Sequence, residues 1–317
     1  MSTIKYRPSV KKKLAPSEYI LEPGLKNAVE VALALDQPLL LTGEPGTGKT
    51  QLAYKTVFDL SQGGEANFSD QLIRFDTKTT STAKDLFYSY DALGHFQSAN
   101  IKRDAGQTAP DIGSFVTLQA LGKAIALSNP KGIQHPELRK QLKLQDDKPK
   151  SSVILIDEVD KAPRDFTNDL LNQIENSEFF IQEMNEKITR GDGQRTLILL
   201  TSNSEKNLPD AFLRRCVFYH IPFPSADLLR KIVKVQVGLP TNFTDQMLNP
   251  VIDFFFEVRE KSIRKRPATA EFIAWMRLLA LDKIAKVDDQ NLRRELMRDN
   301  LSILVKTQED LEAVSKL

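Results

Sequence analysis

Short, continuous runs of apolar residues recur along the first two thirds of the chain. Such runs are typical of strands that are buried on both faces of a parallel sheet. Between them lie stretches with the apolar spacing of amphipathic helices, among them 49–60 and 163–174. This alternation predicts an α/β fold, with a parallel sheet sandwiched by helices. The candidate strands are 38–43, 71–79, 152–158, 196–203 and 217–223.

The pattern changes at Pro222-Phe223-Pro224, where the prolines end regular structure. Beyond this point only helical periodicity is present, which predicts a smaller all-helical domain at 224–317. The large α/β domain is then 1–223, with an N-terminal tail at 1–18. The candidate helices of the second domain are 225–237, 244–262, 268–286 and 291–304. Two polar stretches, 94–113 and 128–150, are predicted to be insertions or loops.

Composition excludes several classes of protein. The 317 residues carry 44 Lys and Arg against 42 Asp and Glu, a net charge of +2, which gives no support to a protein that coats polyanions. The single cysteine excludes a disulfide framework and a CxxC zinc site. The basic N-terminus lacks the apolar core of a signal peptide, and no apolar run approaches the roughly 20 residues of a membrane span. We therefore expect a cytoplasmic protein.

The strongest motif follows the first candidate strand and reads Gly-Glu-Pro-Gly-Thr-Gly-Lys-Thr. It matches G-x-x-x-x-G-K-[ST] in full, which a random chain of this length does about once in a hundred trials. Its glycines allow backbone N–H groups to turn inward around phosphate, and the following helix adds partial positive charge. Lys49 is predicted to contact the β- and γ-phosphates and Thr50 to bind Mg²⁺. The predicted nucleotide-binding residues here are Gly43, Glu44, Pro45, Gly46, Thr47, Gly48, Lys49, Thr50 and Gln51.

A second motif ends the candidate strand at 152–158 with two carboxylates, Asp157 and Glu158. Carboxylates at the end of a buried strand are costly unless they have partners or a task. Asp157 is predicted to bind Mg²⁺, directly or through water. Glu158 is predicted to act on the water that attacks the γ-phosphate, as a general base or as an orienter.

Three further features have both a functional and an ordinary interpretation. Asn203 ends a candidate strand and can hold the attacking water, although Asn is also a common turn residue. Arg214 and Arg215 precede another strand and suit an arginine finger or a pair of surface cations. The basic run 261–267, which contains Arg266, suits a contact to phosphate or a solvated loop.

In this order the motifs resemble those of the AAA+ ATPases, and more narrowly of their MoxR-like branch, which has an insertion in the second helix. The resemblance covers about residues 15–290. It implies that Asn203 is sensor 1, that Arg215 is the finger with Arg214 as second choice, and that Arg266 is sensor 2. It also implies that 94–113 is the helix-2 insertion and 181–193 the hairpin before sensor 1. Two departures stand out: Val159-Asp160-Lys161 replaces the usual Ile-Asn-Arg, and Ala268 follows Pro267 where many members have Arg.

The resemblance implies Mg²⁺-dependent ATP hydrolysis at the subunit interfaces of a ring, expected to be a hexamer. The output would be chaperone-like remodelling of a client protein, with a von Willebrand factor A (vWA) domain partner on a separate chain. One alternative is a nucleic-acid motor or loader, which the balanced charge of the insertion disfavours: Lys102, Arg103, Asp104 and Asp111. The other is a nucleotide-dependent scaffold, which the presence of Lys49 and Glu158 disfavours.

Overall fold

The computed structural model divides the chain into two compact units. The sheet unit consists of Leu21–Thr42 and Lys49–His220, and the helical unit of Met1–Ile20, Gly43–Gly48 and Ile221–Leu317. The sequence-based domains, 1–223 and 224–317, stay a prediction. The structure describes residues 9, 14–64, 67–104, 107–144, 146–175, 178–204, 208–238, 244–281, 284, 287, 289–315 and 317.

A five-stranded parallel sheet forms the centre of the sheet unit, in the order β2-β5-β8-β1-β9. Every residue of β1 and β5 is buried, as expected of continuous apolar runs. The sheet confirms the predicted α/β fold class. Each predicted strand is present but shorter. The strands are β1 Leu39–Thr42, β2 Ile73–Asp76, β3 Tyr88–Tyr90, β4 Val116–Leu118, β5 Ser152–Asp157, β6 Glu178–Ile181, β7 Glu186–Thr189, β8 Thr196–Thr201 and β9 Val217–His220.

Helices separate the strands of the sheet along the chain, as the periodicity predicts. Both α2 and α4 pack on β5, and α1 packs on β9. Helix α4 lies in the core, and all of its residues except Lys123 are buried. Apart from Lys123 and Ser128, it consists of apolar residues and one glycine. The helices of this unit are α1 Pro23–Leu35, α2 Lys49–Gln62, α3 Ala92–Asp104, α4 Ala120–Ser128, α5 Pro136–Leu142, α6 Arg164–Glu175 and α7 Asp210–Leu213.

Two antiparallel hairpins interrupt the alternation of strands and helices in the sheet unit. Strands β3 and β4 pair with each other, and helix α3 lies between them in the sequence. This helix has no buried residue and covers most of the polar stretch 94–113, which was predicted as an insertion or loop. Strands β6 and β7 form the other hairpin, which begins at Glu178, before the start predicted for it. The stretch 128–150, predicted as an insertion or loop, contains the short helix α5.

The helical unit has its own core, centred on Phe255, Phe272 and Trp275, which are fully buried. The predicted helices are present, except that part of 268–286 lies outside the described residues and the last predicted helix ends early, at Asp299. A short helix near the C-terminus was not predicted. The helices are α8 Ala226–Val237, α9 Asp245–Lys261, α10 Thr269–Leu281, α11 Gln290–Asp299 and α12 Gln308–Val314. Within the described ranges, no helix of either unit is long and apolar enough to cross a bilayer.

Asp310 of α12 fixes the connection between α9 and α10. Its carboxylate accepts hydrogen bonds from the backbone N–H groups of Ile263 (2.6 Å), Arg264 (2.8 Å) and Lys265 (2.9 Å). The Thr307 hydroxyl donates another, at 2.7 Å. The hydrogen bond from the Arg264 backbone, together with those from Thr307, Lys265 and Ile263, lowers the pKa of Asp310 to about 2.

Asp310→Asn is expected to destabilise the protein at neutral pH, since a neutral amide accepts hydrogen bonds less strongly than a carboxylate. The carboxylate's contribution is complete above its unfolded pKa of about 3.9 and disappears as the pH falls towards 2. Urea unfolding should therefore show a wide gap between variant and wild type at pH 7 and a narrow one at pH 3. Asp299→Asn, at the end of α11, is the matched control. An equal gap at both pH values would contradict this role for Asp310.

Candidate functional site

The carboxyl ends of neighbouring strands bring polar side chains together at one edge of the sheet. Asp76 of β2 lies beside Asp157 of β5, and Leu41 of β1 beside Thr201 of β8. Ligands of open parallel sheets bind at this edge, beyond the carboxyl ends of the strands. The edge therefore gives a candidate site on the sheet unit.

Asp157 is the centre of the polar network at this edge, and only 8% of it is exposed. The Thr201 hydroxyl donates to its Oδ1 at 2.5 Å, and Arg74 Nη2 donates to its Oδ2 at 3.0 Å. The Thr50 hydroxyl, in the first turn of α2, lies 3.3 Å from Oδ2. Arg74 also pairs with Asp76 at 2.7 Å. The structure thus brings together Thr50 and Asp157, the two residues that the sequence analysis selects as Mg²⁺ ligands.

Glu158 follows Asp157 directly and has a left-handed backbone, with φ 58° and ψ 51°. Its backbone N–H donates to Thr201 Oγ1 at 2.9 Å, so this hydroxyl is at once donor to Asp157 and acceptor from Glu158. The Glu158 carboxylate accepts a hydrogen bond from Lys161 Nζ at 2.5 Å. This hydrogen bond raises the pKa of Lys161. The backbone N–H and the carboxylate of Glu158 therefore have different hydrogen-bond partners, Thr201 and Lys161.

The other predicted residues of the sheet unit lie outside this network. Asn203 is exposed, and its backbone N–H donates to Asp160 Oδ1 at 3.4 Å. Arg214 and Arg215 are exposed after α7, and Arg215 Nη1 donates to Asn172 Oδ1 at 3.2 Å. In the described ranges, no hydrogen bond joins these three residues to Asp157 or Glu158.

The glycine loop, Gly43–Gly48, belongs to the helical unit and has the backbone that its sequence predicts. Gly43, Gly46 and Gly48 have φ values of 141°, 78° and 91°, which residues with side chains rarely adopt. The Thr47 hydroxyl donates to Glu44 O at 2.9 Å and closes the turn between them. Pro45 is exposed at the tip.

Parts of the helical unit pack closely against this loop. A Cβ atom on Gly43 would lie 2.6 Å from Ile221 O, one on Gly46 would lie 3.0 Å from Ala268 Cβ, and one on Gly48 would lie 3.1 Å from the Tyr19 ring. Each glycine is therefore required by its surroundings as well as by its φ. Arg266, the predicted sensor 2 residue, is exposed.

The chain continues from Gly48 into α2, whose first residues complete the motif. Lys49 is 8% exposed, and Gln51 is half-buried. The Thr50 hydroxyl and the Asp157 carboxylate are hard oxygen donors of the kind that Mg²⁺ prefers. A glycine loop with reversed φ values, followed by a helix N-terminus, suits phosphate. Thr50 and Asp157 therefore fit a Mg²⁺ ion, and the glycine loop fits phosphate groups.

Sequence reasoning missed three residues of the polar network in the sheet unit, Arg74, Lys161 and Thr201, and one residue of the helical unit that contacts the glycine loop, Arg259. Thr201 and Lys161 had a signal, since a hydroxyl ends a buried strand and a cation follows Glu158 by three residues. Arg74 and Arg259 had none, because their partners are distant in sequence. Arg259 Nη2 donates to Glu44 of the loop at 2.6 Å.

Several solved structures are similar to this chain at low sequence identity. Among solved structures, the FIGL-1 AAA domain in complex with ADP is 15% identical and has a TM-score of 0.44, covering 93% of this chain and 86% of that one. A RuvB variant of Thermotoga maritima is 13% identical with a TM-score of 0.45, covering 92% and 70%. PCH-2 of C. elegans is 16% identical with a TM-score of 0.42, covering 94% and 70%. Likenesses this distant say nothing about what this chain does.

A search of curated proteins found no match. A family model described as the AAA domain (dynein-related subfamily) matches residues 38–216, more than half of the chain. The matched stretch contains the glycine loop, Asp157, Glu158, Asn203 and Arg215. The chain therefore belongs to the AAA domain family, in its dynein-related subfamily.

Proposed function

We propose that this protein binds ATP with Mg²⁺ and hydrolyses it. The observation that carries the proposal is the Thr50 hydroxyl 3.3 Å from the Asp157 carboxylate, directly after a glycine loop with three positive φ values. Membership of the AAA domain family supports the same conclusion. Adenine, as opposed to guanine, rests on the family alone.

Each residue of the motif has a separate task in this proposal. The loop N–H groups and Lys49 bind the phosphates, and Thr50 and Asp157 hold Mg²⁺. When bound, this ion neutralises negative charge that develops on the phosphate oxygens. Glu158 accepts the proton of a water whose oxygen forms a bond to the γ-phosphorus. The bond from that phosphorus to the bridging oxygen breaks, which leaves ADP and phosphate.

Lys161 is proposed to restrain the Glu158 carboxylate before hydrolysis. The hydrogen bond of 2.5 Å from Lys161 Nζ holds the Glu158 carboxylate in one position. The same hydrogen bond must loosen before the carboxylate takes a proton. Lys161 is therefore proposed to limit hydrolysis until the assembled site is complete.

We propose that the protein works as a ring of identical subunits, with six expected. Arg215 is exposed, and Asn172, which accepts its hydrogen bond, is a neutral amide. A guanidinium with these properties can reach a neighbour's nucleotide and offset charge in the transition state. Arg214, also exposed, is the second choice. Asn203 is proposed as sensor 1 and Arg266 as sensor 2.

A protein is the proposed client, in keeping with chaperone-like remodelling. Helix α3, enclosed by its hairpin, exposes Leu93, Phe96 and Ile101, whose side chains suit contact with polypeptide. The charges of the stretch 94–113 are balanced, with Lys102 and Arg103 against Asp104 and Asp111, which does not favour nucleic acid. Placement in the MoxR-like branch, a separate vWA-domain partner and a cytoplasmic location are proposals from the sequence resemblance. So is a lid domain at 224–317 that moves with nucleotide state.

Two variants should separate binding from hydrolysis. Lys49→Ala is expected to weaken ATP binding about tenfold or more, because it removes a charged hydrogen-bond donor to phosphate. Glu158→Gln should bind ATP as wild type does and lose at least about a hundredfold in turnover, the scale of general base catalysis. Calorimetry gives the Kd, and phosphate release gives the rate.

Lys55→Ala on the same helix and Glu30→Gln on α1 are the matched controls, since both residues lie outside the motif and pair with a residue four positions away, Asp59 and Lys26. Normal ATP binding by Lys49→Ala would refute the assignment of the loop. Normal turnover by Glu158→Gln would refute the assignment of the base.

Mixed assemblies test whether Arg215 acts on a neighbour. Arg215→Ala alone is expected to bind ATP normally and to lose about a thousandfold in turnover, the scale of an arginine finger. Mixed with Glu158→Gln subunits, it should regain activity, because some interfaces then combine an intact Glu158 with an intact Arg215. If Arg215 acts within its own subunit, mixing two inactive variants restores nothing. Arg214→Ala, treated in the same way, decides between the two arginines.

A further inference from the structure

Arg259 is a nearly buried cation in the last turn of α9. Only 8% of the residue is exposed. A buried guanidinium is costly unless its donors are satisfied and its charge is balanced. Its partners therefore show what the residue is for.

The contacts of Arg259 use both ends of the guanidinium fork and one of its faces. Nη2 donates to Glu44 Oε2 at 2.6 Å, and Nη1 donates to Pro267 O at 2.7 Å. The plane lies over the Phe223 ring, with 3.6 Å from Cζ to the ring centroid. Such stacking and forked bonding are properties of Arg that Lys does not share. The side chain is thus held rigidly and brings a positive charge to Glu44.

Glu44 is the second residue of the glycine loop, and Pro267 directly precedes the segment that touches Gly46. A Cβ atom on Gly46 would meet Ala268 Cβ at 3.0 Å and Ala270 Cβ at 3.4 Å. Arg259 therefore joins the start of the loop to the same stretch of chain on which the middle of the loop packs. The loop backbone between these two points has little freedom.

The charge of Glu44 is the second part of the argument. A loop that receives phosphates has to attract a polyanion, and a free carboxylate within that loop repels it. Arg259 offsets this charge at 2.6 Å. Without Arg259, the loop would lose this fixed contact, and Glu44 would lose the positive charge that Arg259 brings to it at 2.6 Å.

We propose that Arg259 is a positioning residue for nucleotide binding, acting through Glu44 to fix the glycine loop and to neutralise its carboxylate. The inference rests on the proposed function, because it assumes that the loop binds nucleotide phosphates. It gives α9 a task that neither its sequence nor its family assigns.

The test is the affinity for ADP, measured by calorimetry, since ADP binding requires no hydrolysis and no ring. Arg259→Met should raise the Kd about tenfold, the scale of a charge-assisted hydrogen bond. Adding Glu44→Gln to this variant removes the repelling charge and should bring the Kd back to within about threefold of wild type. A residue with only a structural role gives no such rescue.

Arg294→Met is the matched control, because Arg294 lies in the same unit and pairs with Glu257 at 3.6 Å with both side chains half exposed. Its Kd should equal that of wild type. If Arg259→Met does not fold, Arg259→Lys keeps the charge but not the fork, and its Kd should rise less than tenfold at an unchanged melting temperature.

The outcomes separate the two proposals. If wild type binds ADP and Arg259→Met or Arg259→Lys binds it equally well, the inference about Arg259 fails while the proposed function stands. The same holds if Glu44→Gln gives no rescue. If wild type does not bind ADP, the proposed function itself fails.

Discussion

The carboxylate of Asp157 lies at the end of a strand in which every residue is buried, and this constraint organises the candidate site. A charge in such a place needs hydrogen-bond donors. Because β2 and β8 flank β5, those donors come from these two strands, as Arg74 within β2 and Thr201 at the end of β8. Thr50 approaches from α2. The position of the Asp157 carboxylate is thus a consequence of strand order.

The glycine loop depends on a different constraint. Its backbone has an unusual conformation, with three positive φ values, and this conformation has to be held in place. Its conformation depends on contacts in the helical unit, where Ile221, Ala268 and Tyr19 occupy the space that side chains on its glycines would need. Arg259 adds an ionic contact to these steric ones. The charge, the shape and the backbone conformation of the glycine loop therefore depend on residues that are far from it in sequence.

The difference between local and distant information explains how much could be predicted from the sequence. The strands, the glycine loop and the pair Asp157-Glu158 are local patterns, and the fold class followed from them. Thr201 lies inside the predicted strand 196–203 and ends the observed one, so its position at the site followed only from where β8 stops. Arg74 and Arg259 could not be found, since their roles depend on which strands and helices are neighbours. The short helix α12 has too few apolar residues to give a period, yet its Asp310 accepts three backbone hydrogen bonds.

The packing of Gly46 on Ala268 and Ala270 bears on where this protein can be cut. A fragment that stops at residue 223 would keep the whole glycine motif and all of residues 38–216, the stretch that the family model matches. It would nevertheless lack both alanines and Arg259, and with them the contacts that these residues make at Gly46 and Glu44. A fragment that preserves the surroundings of the loop is therefore longer than the stretch that defines the family, and extends at least through the beginning of α10.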